Sequence, residues 1–231
     1  MNGRMIDFQG NGQTFQGYYS PAFNRGPGII VIQEWWGLVD HIKDVCDRLA
    51  EAGFTALAPD FYHGEKTKSP DEAKKLLMSL NIAEAEKIIK GAVDELLKQY
   101  ECTSETVGVV GFCMGGQLAL YAAAANPDRI SACVDFYGAP FHPDMKPSFD
   151  KMKASVLAIF GENDKAANAE VRESLKESLE QVGVNVEVVT YGGADHAFFN
   201  DTRKEVYDEE AAQDAWKRML IFFRNHVPNK A

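Results

Sequence analysis

The stretch VGVVGFCMGG at residues 107–116 decides the fold, because it joins a strand pattern directly to a helix pattern around a single cysteine. Its first half is a short β-branched run, which is typical of a buried strand, and residues 117–125 that follow have strong helix propensity. Gly111 and Gly115 permit a tight turn and close packing of the strand against the helix. Cys113 is therefore predicted to lie at a strand-to-helix corner, where the helix N-terminus favours thiolate over thiol.

The pattern around Cys113 matches the nucleophile elbow Gly-x-Ser-x-Gly, with cysteine in place of serine. A free cysteine is most often a small buried hydrophobe, so the interpretation depends on an acid and a histidine following in that order. Asp164 follows a predicted strand at 156–160, and His196 follows another at 186–190. Because the ends of parallel strands share one edge of a sheet, the three residues are predicted to form a catalytic triad. Two other acids lie close enough in sequence to replace Asp164: Glu162 and Asp195.

Acyl transfer also requires backbone donors for the oxyanion that develops in the transition state. An elbow supplies one from the amide after the nucleophile, which is Met114 here. A predicted strand at 29–32 leads into Glu34 and Trp35. Hydrolases with a nucleophile elbow place the second amide after such a strand, so the Trp35 amide is the candidate. Glu34 is either an exposed loop residue or a carboxylate that accepts a hydrogen bond from Cys113 in the resting enzyme.

Four motifs give the chain a resemblance to the dienelactone hydrolase family of the α/β-hydrolases. The family's Gln-Glu-x-x-Gly, Pro-Asp-Leu-Tyr, Gly-Tyr/Phe-Cys-x-Gly-Gly and Gly-His-x-Phe patterns correspond to residues 33–37, 59–62, 111–116 and 195–198. The resemblance implies an α/β-hydrolase fold with about eight strands in a mostly parallel sheet, and cofactor-independent cleavage of an ester or lactone. It also implies a role for each matching residue: Cys113 as nucleophile, Asp164 and His196 as its partners, Glu34 as the carboxylate that helps to generate the thiolate, and the Trp35 and Met114 amides as the oxyanion hole.

The chain departs from the family pattern at the positions that recognise substrate. The family's type enzyme holds the carboxylate of its dienelactone with two arginines, yet no arginine lies between Arg48 and Arg129. Asn200 stands four residues after His196, where the second is expected, and Arg203 is the nearest arginine downstream. Because lysine replaces a bidentate arginine poorly, the sequence predicts a neutral or differently charged ester or lactone. The candidate substrate-binding residues are Trp36, Tyr62, His63, Tyr137, Phe198 and Asn200.

Composition predicts a single α/β-hydrolase domain over residues 1–231, with 45% hydrophobic residues and a core that needs no disulfides. The formal net charge of −10 argues against a nucleic-acid partner. The absence of a signal-like start and of a long apolar stretch predicts a cytoplasmic protein without a membrane partner. Scattered cysteines and histidines predict free thiols and no metal site. The expected partner is a small-molecule ester or lactone, and the expected state is a monomer or small homo-oligomer.

Strands alternate with helices along the chain, which predicts a mostly parallel sheet covered on both faces. Opening strands at 5–8 and 14–20 are predicted to be antiparallel because a turn signal at 10–12 separates them. Segment 62–80 is predicted to be an irregular insertion at the rim of the active site, and the last helix is predicted at 205–226. The remaining predicted strands are 29–32, 54–58, 107–110, 132–136, 156–160 and 186–190, and the remaining helices are 41–52, 83–100, 115–126 and 169–182.

Other functions fit part of this pattern. A non-catalytic relative would bind a small ligand or use Cys113 as a redox sensor, since an exposed thiolate is easily oxidised. A sensor needs no aligned general base, so the presence of Asp164 and His196 argues against it. A third interpretation keeps the triad but assigns it a thioester or a short peptide as substrate.

Overall fold

The computed structural model describes residues 3–230, which form eight strands and six helices. The strands are β1 (Arg4–Gly10), β2 (Gln13–Ser20), β3 (Gly26–Ile32), β4 (Thr55–Pro59), β5 (Cys102–Phe112), β6 (Ile130–Phe136), β7 (Ser155–Gly161) and β8 (Val186–Tyr191). The helices are α1 (Asp40–Glu51), α2 (Pro70–Ser79), α3 (Ile82–Lys98), α4 (Met114–Ala125), α5 (Ala169–Gln181) and α6 (Glu209–His226).

All eight strands belong to one sheet with the order β1-β2-β4-β3-β5-β6-β7-β8. β2 pairs antiparallel with β1 and with β4, and every later pairing is parallel. The predicted α/β class, the mostly parallel sheet and the antiparallel opening pair are thereby confirmed. Because the sheet is mostly parallel, the ends of β3, β5, β6, β7 and β8 lie along a common edge.

Helices cover both faces of the sheet, and two glycines show this directly. A Cβ atom at Gly28 would meet Leu96 of α3, whereas a Cβ atom at Gly108 would meet Phe223 of α6. Gly28 is in register with Val107, the neighbour of Gly108, so the two glycines point to opposite faces. Burial on both faces explains why the inner strands are continuous apolar runs rather than alternating ones. Within residues 3–230, no helix has both the length and the apolarity that crossing a membrane requires.

The prediction that residues 62–80 are irregular is wrong for their second half, which forms α2. Ser69 caps this helix by accepting a hydrogen bond from the Glu72 amide at 3.4 Å, and Pro70 occupies the first turn. Proline is favoured at this position because its fixed φ suits a helix start and no amide is lost. Ser69 followed by proline and acidic residues is a recognised signal for the start of a helix. The lysines and Gly64 nearby favoured an irregular segment instead.

The last helix starts at Glu209 rather than at the predicted residue 205. The Asp208 side chain accepts a hydrogen bond from the Ala211 amide at 3.0 Å, and this cap sets the start. The preceding residues form turns in which the Arg203 carbonyl accepts from the Val206 amide at 3.0 Å. These turns return the chain from the His196 loop to the helix layer.

Candidate active site

Cys113 occupies the junction between β5 and α4 with a backbone φ of +57°. This left-handed conformation is unusual for a residue other than glycine and is typical of strained functional turns. A Cβ atom at Gly111 would lie 1.7 Å from the Gly115 carbonyl oxygen, so the turn can close only with glycine there. The turn therefore places a mostly buried thiol at the edge where the parallel strands end.

Asp164 and His196 come together at the same edge, as the sequence predicts. Asp164 follows β7 and His196 follows β8, and their Oδ2 and Nδ1 atoms are 2.6 Å apart. The other carboxylate oxygen of Asp164 accepts from the amides of Ala166 and Ala167 at 2.8 and 3.0 Å. The Asp164 carboxylate is buried, and both of its oxygens are engaged in hydrogen bonds, which fixes its orientation toward the imidazole.

The charges of Asp164 and His196 stabilise one another. Burial alone would raise the pKa of Asp164, but the hydrogen bond and charge of His196 and two amide bonds outweigh it and lower that pKa. Burial alone would lower the pKa of His196, but hydrogen bonds with Asp164 and Cys113 outweigh it and raise that pKa to about 10. The arrangement therefore favours a protonated His196 beside an ionised Asp164.

The two rival acids do not take the place of Asp164 in the structure. Glu162 uses its carboxylate to accept the Gly193 amide at 3.0 Å. Asp195 is exposed to solvent, although it is the immediate neighbour of His196. The geometry supports the prediction of Asp164 as the acid and leaves the other two on the surface of the loop.

Glu34 is buried beside the triad and is held by Asn200. The Asn200 Nδ2 donates to the Glu34 Oε2 at 3.0 Å, and the Asn200 Oδ1 accepts from the amide and hydroxyl of Thr202. Burial raises the pKa of Glu34, while the charges of His196 and Arg203 and the Asn200 bond oppose the rise. Asn200 was expected to contact substrate, but its Nδ2 is engaged by Glu34 and its Oδ1 by Thr202.

The two amides predicted for the oxyanion hole lie on adjacent segments. Met114 is the first residue of α4, so its amide has no partner within the helix. Trp35 lies in the turn after β3, and a Cβ atom at Gly115 would be 2.4 Å from the Gln33 carbonyl oxygen, so this turn and the start of α4 touch. Tyr62, predicted to bind substrate, donates its hydroxyl to the Met114 sulfur at 3.2 Å. The Met114 amide adjoins Cys113 in the chain, and the turn that carries Trp35 lies against the start of the same helix.

Three further substrate-binding candidates lie in different surroundings: Trp36, Phe198 and His63. The Trp36 ring packs against the Trp35 ring at 4.9 Å. Phe198 has no exposed surface and packs in the core, because its ring lies against Tyr191 at 5.3 Å. The side chain of His63 is 54% exposed and pairs with Glu84 at 3.1 Å, outside the triad. Phe199, the neighbour of Phe198, is also buried in the core.

Sequence reasoning missed two neighbours of the triad. Phe141 lies edge-on to the His196 ring at 5.9 Å, in the segment after β6. Arg203 lies over the Trp36 ring at 5.9 Å, and its charge reaches both Glu34 and Tyr137. No sequence signal identifies Phe141, and Arg203 stood out only as the nearest arginine downstream of Asn200, with no contact assigned to it, because both approach the site through the folding of the loops.

Asp135 is a third missed residue, a fully buried acid on β6 behind the elbow. Its Oδ1 accepts from the Gly138 amide at 2.8 Å, and its Oδ2 has no hydrogen-bond partner among residues 3–230. A Cβ atom at Gly116 would lie 2.1 Å from this Oδ1, so glycine in α4 makes room for the carboxyl group. Burial, with the nearby charge of Asp164, raises the pKa of Asp135 to about 7.

The raised pKa of Asp135 predicts a pH-dependent contribution to stability. A carboxyl group that ionises at about 3.9 when unfolded but near 7 when folded stabilises the fold fully below about pH 4. That contribution is lost as the pH rises through 7, and the gap between the two pKa values corresponds to about 4 kcal/mol. Asp135→Asn cannot ionise, so we expect its free energy of unfolding, relative to wild type, to be higher at pH 8 than at pH 4. Urea unfolding at both pH values measures this, with the exposed Asp150→Asn as control. The same difference at both pH values would contradict the prediction.

The sheet order and the strained turn after β5 place the protein among the α/β-hydrolases. Among solved structures, a "Putative Dienelactone Hydrolase" from Klebsiella pneumoniae is 27% identical and has a TM-score of 0.85, with 98% of this chain and all of that chain covered. Among sequence relatives, "Protein usf" of Aquifex pyrophilus is 40% identical over 97% of this chain and 99% of its own length. A "Putative carboxymethylenebutenolidase" of Aquifex aeolicus is 35% identical over the same shares.

The family model for the dienelactone hydrolase family matches residues 15–227. The chain belongs to this family and is an ester or lactone hydrolase. The resemblance carried by the four sequence motifs is confirmed.

Proposed function

We propose that the protein cleaves esters or lactones without a cofactor, through a Cys113-His196-Asp164 triad and a thioester acyl-enzyme. The observation that carries the proposal is the 2.6 Å contact of His196 with buried Asp164, at the sheet edge where Cys113 adopts its strained turn. A nucleophile after β5, an orienting acid after β7 and a base after β8 are the parts that acyl transfer requires.

In the first half of the reaction the thiolate sulfur attacks the carbonyl carbon, and the carbonyl π electrons move to oxygen. The Met114 and Trp35 amides donate hydrogen bonds to this oxyanion. Collapse of the intermediate expels the alkoxide, which takes a proton from the His196 imidazolium. The products of this half are the thioester on Cys113 and the alcohol, which stays tethered when the substrate is a lactone.

In the second half a water molecule attacks the thioester carbon while His196 accepts its proton. The sulfur leaves as thiolate and the acid is released, which restores the starting state. Asp164 holds the imidazole in the required tautomer throughout. Glu34, buried and held by Asn200, is the carboxylate proposed to assist removal of the thiol proton. All four cysteines are free thiols, which suits the reducing cytoplasm as the proposed compartment.

Arg203 is the basic residue proposed to set how well an acidic substrate is accepted. Its guanidinium lies over Trp36, yet its Nε atom is paired with Glu205 at 2.9 Å, so part of its charge is compensated. This favours a neutral ester or lactone as the main substrate and allows a carboxylate as a weaker one.

Arg203→Gln is expected to lower kcat/KM for a carboxylated dienelactone about tenfold while changing that for a neutral ester less than about threefold. The loss of one charge-assisted hydrogen bond accounts for this difference. Arg218→Gln is the control, because Arg218 is paired with Asp214 on the outside of α6. Equal effects of Arg203→Gln on both substrates would count against a role in substrate selection.

A substrate panel tests the proposed activity. It contains p-nitrophenyl acetate, a neutral lactone, a carboxylated dienelactone and a short acyl thioester, each measured with wild type and with Cys113→Ala. Turnover of an ester or lactone that is lost in the variant supports the proposal. A preference for the thioester would instead indicate that thioesters are the substrate class. If no compound in the panel gives Cys113-dependent turnover, the binding or redox-sensing interpretation gains support.

A further inference from the structure

The loop between β4 and α2 is held in a fixed shape by a buried acid at its start. Residues 60–67 of this segment are called the rim loop below. The Asp60 carboxylate is buried and accepts hydrogen bonds from the Tyr62 amide at 3.0 Å and the Gly64 amide at 2.6 Å. The Tyr62 carbonyl in turn accepts from the Glu65 amide at 3.0 Å. Because these bonds close the rim loop on itself, it can hold a neighbouring segment in place.

The rim loop lies against the turn that carries Trp35. The Thr67 amide donates a hydrogen bond to the Trp36 carbonyl at 3.1 Å. Gly37 is buried, and a Cβ atom there would lie only 2.4 Å from the Glu65 carbonyl oxygen. The backbone of the turn therefore touches the backbone of the rim loop, and only glycine permits that approach.

Gly37 also determines the direction of the Trp35 amide. The Glu34 carbonyl accepts a hydrogen bond from the Gly37 amide at 3.3 Å. That carbonyl belongs to the same planar peptide group as the Trp35 N–H, so fixing one fixes the plane of the other. The φ of Gly37 is +93°, a conformation that glycine adopts without strain.

The rim loop reaches the segment of the other candidate donor as well. The Tyr62 hydroxyl donates to the Met114 sulfur at 3.2 Å, and the Met114 side chain is fully buried. The Phe61 amide donates to the Gln33 Oε1 at 3.3 Å, and the backbone carbonyl of Gln33 lies against Gly115. One loop is therefore in contact with both segments that carry the candidate amides.

We propose that the rim loop positions the oxyanion hole, with Gly37 and Tyr62 as positioning residues. The inference rests on the proposed function, since it takes the Trp35 and Met114 amides as the donors. Gly37 lets the Trp35 turn lie against the rim loop, and Tyr62 fixes the side chain of Met114. Neither residue exchanges a proton or an electron pair with the substrate. Both hold the donors at the place where the carbonyl oxygen becomes negative.

Gly37→Ala tests the contact between the turn and the rim loop. The added methyl group separates the two backbones by up to about 1 Å, a displacement large enough to weaken catalysis. Complete loss of one oxyanion donor costs roughly 10²–10³-fold in kcat. We therefore expect kcat for p-nitrophenyl acetate to fall about tenfold or more, with KM changed less than about threefold.

Gly53→Ala is the matched control for backbone strain. Gly53 lies between α1 and β4 with a φ of +92°, nearly that of Gly37, and an added Cβ atom would meet no other atom within 4 Å. This variant has the same strained backbone without a displaced turn, so its kcat should equal that of wild type. Equal kcat values in the Gly37 and Gly53 variants overturn the proposal.

Alkylation of Cys113 by iodoacetamide separates a displaced oxyanion hole from a damaged nucleophile. The sulfur forms its bond to a saturated carbon as iodide leaves, so no oxyanion develops. We expect Gly37→Ala to be alkylated at the wild-type rate, measured by mass spectrometry of the Cys113 peptide. A fall in alkylation as large as the fall in kcat overturns the proposal, because the rim loop would then act on the nucleophile.

If Gly37→Ala does not fold, Tyr62→Phe provides the second test. It removes the hydroxyl that bonds the Met114 sulfur, and we expect kcat to fall about fivefold with little change in KM. Tyr19→Phe is the control, since it removes the hydroxyl of another buried tyrosine, one that donates to Glu101 at 3.0 Å. A Tyr62→Phe protein with wild-type kcat, or with a change in KM alone, overturns the proposal.

The same measurements distinguish failure of this inference from failure of the proposed function. If wild type shows no Cys113-dependent turnover of any ester, the proposed function is refuted and this inference with it. If wild type turns over and Gly37→Ala retains its kcat, only the role of the rim loop is refuted.

Discussion

Replacing Cys113 with alanine is expected to abolish hydrolysis of every substrate while the fold stays intact. The histidine and the acid act only through the nucleophile, so its removal should cost about 10⁴-fold or more in kcat. Alanine has the same strain at a φ of +57° as cysteine, and little buried volume is lost. Initial rates with p-nitrophenyl acetate measure the effect, and circular dichroism verifies the fold.

Two variants make this result specific to the thiol at the elbow. Cys102 is a buried free cysteine at the start of β5, the strand that leads into the elbow. Cys102→Ala should retain most of the activity. Cys113→Ser should retain a small esterase activity at best, because Glu34 and His196 are arranged to ionise a thiol rather than an alcohol. A serine variant as active as wild type would count against a thiolate nucleophile.

Asp164→Asn is expected to lower kcat by about 10⁴-fold, the second large effect. The asparagine amide would donate toward the Nδ1 atom of His196, which imposes the wrong tautomer and leaves the imidazole unable to accept the thiol proton. The variant also removes the bond and charge that raise the pKa of His196. Steady-state kinetics across pH measures both changes.

The rival acids provide matched controls for this prediction. Glu162→Gln and Asp195→Asn should each change kcat by less than about threefold, because neither side chain bonds the His196 ring in the structure. If Asp195→Asn proved as damaging as Asp164→Asn, the assignment of the acid would have to be exchanged.

The fold was predictable where one sequence pattern extends over a whole strand or helix. Inner strands such as β3 and β7 are buried on both faces and are visible as apolar runs, and their alternation with helices predicts a parallel sheet. The failures were one missed helix, α2, and a misplaced start of α6, and a side-chain cap begins each of these helices. Ser69 caps the start of α2 and Asp208 caps the start of α6, each through one side-chain hydrogen bond. A single cap of this kind leaves no periodic pattern in the sequence.

The triad candidates were predictable because each directly follows a strand, and strand ends meet. The contacts that hold and tune them were not. Glu34 and Asn200 are 166 residues apart in sequence, and no local pattern requires their contact. The strained backbone of Tyr137 and the buried carboxyl group of Asp135 likewise depend on packing between β6, α4 and the loop after β6.

Trapping the acyl-enzyme shows whether Cys113 carries the acyl group during hydrolysis. Wild type is mixed with p-nitrophenyl acetate and quenched in acid within milliseconds, and its intact mass and peptides are compared with those of Cys113→Ala and Asp164→Asn treated in the same way. We expect one acetyl group on Cys113 in wild type, a much slower appearance of that group in Asp164→Asn, and no acetyl group in Cys113→Ala. Turnover by wild type with no acyl group on Cys113 at any quench time, or with the acyl group on another residue, would contradict this expectation.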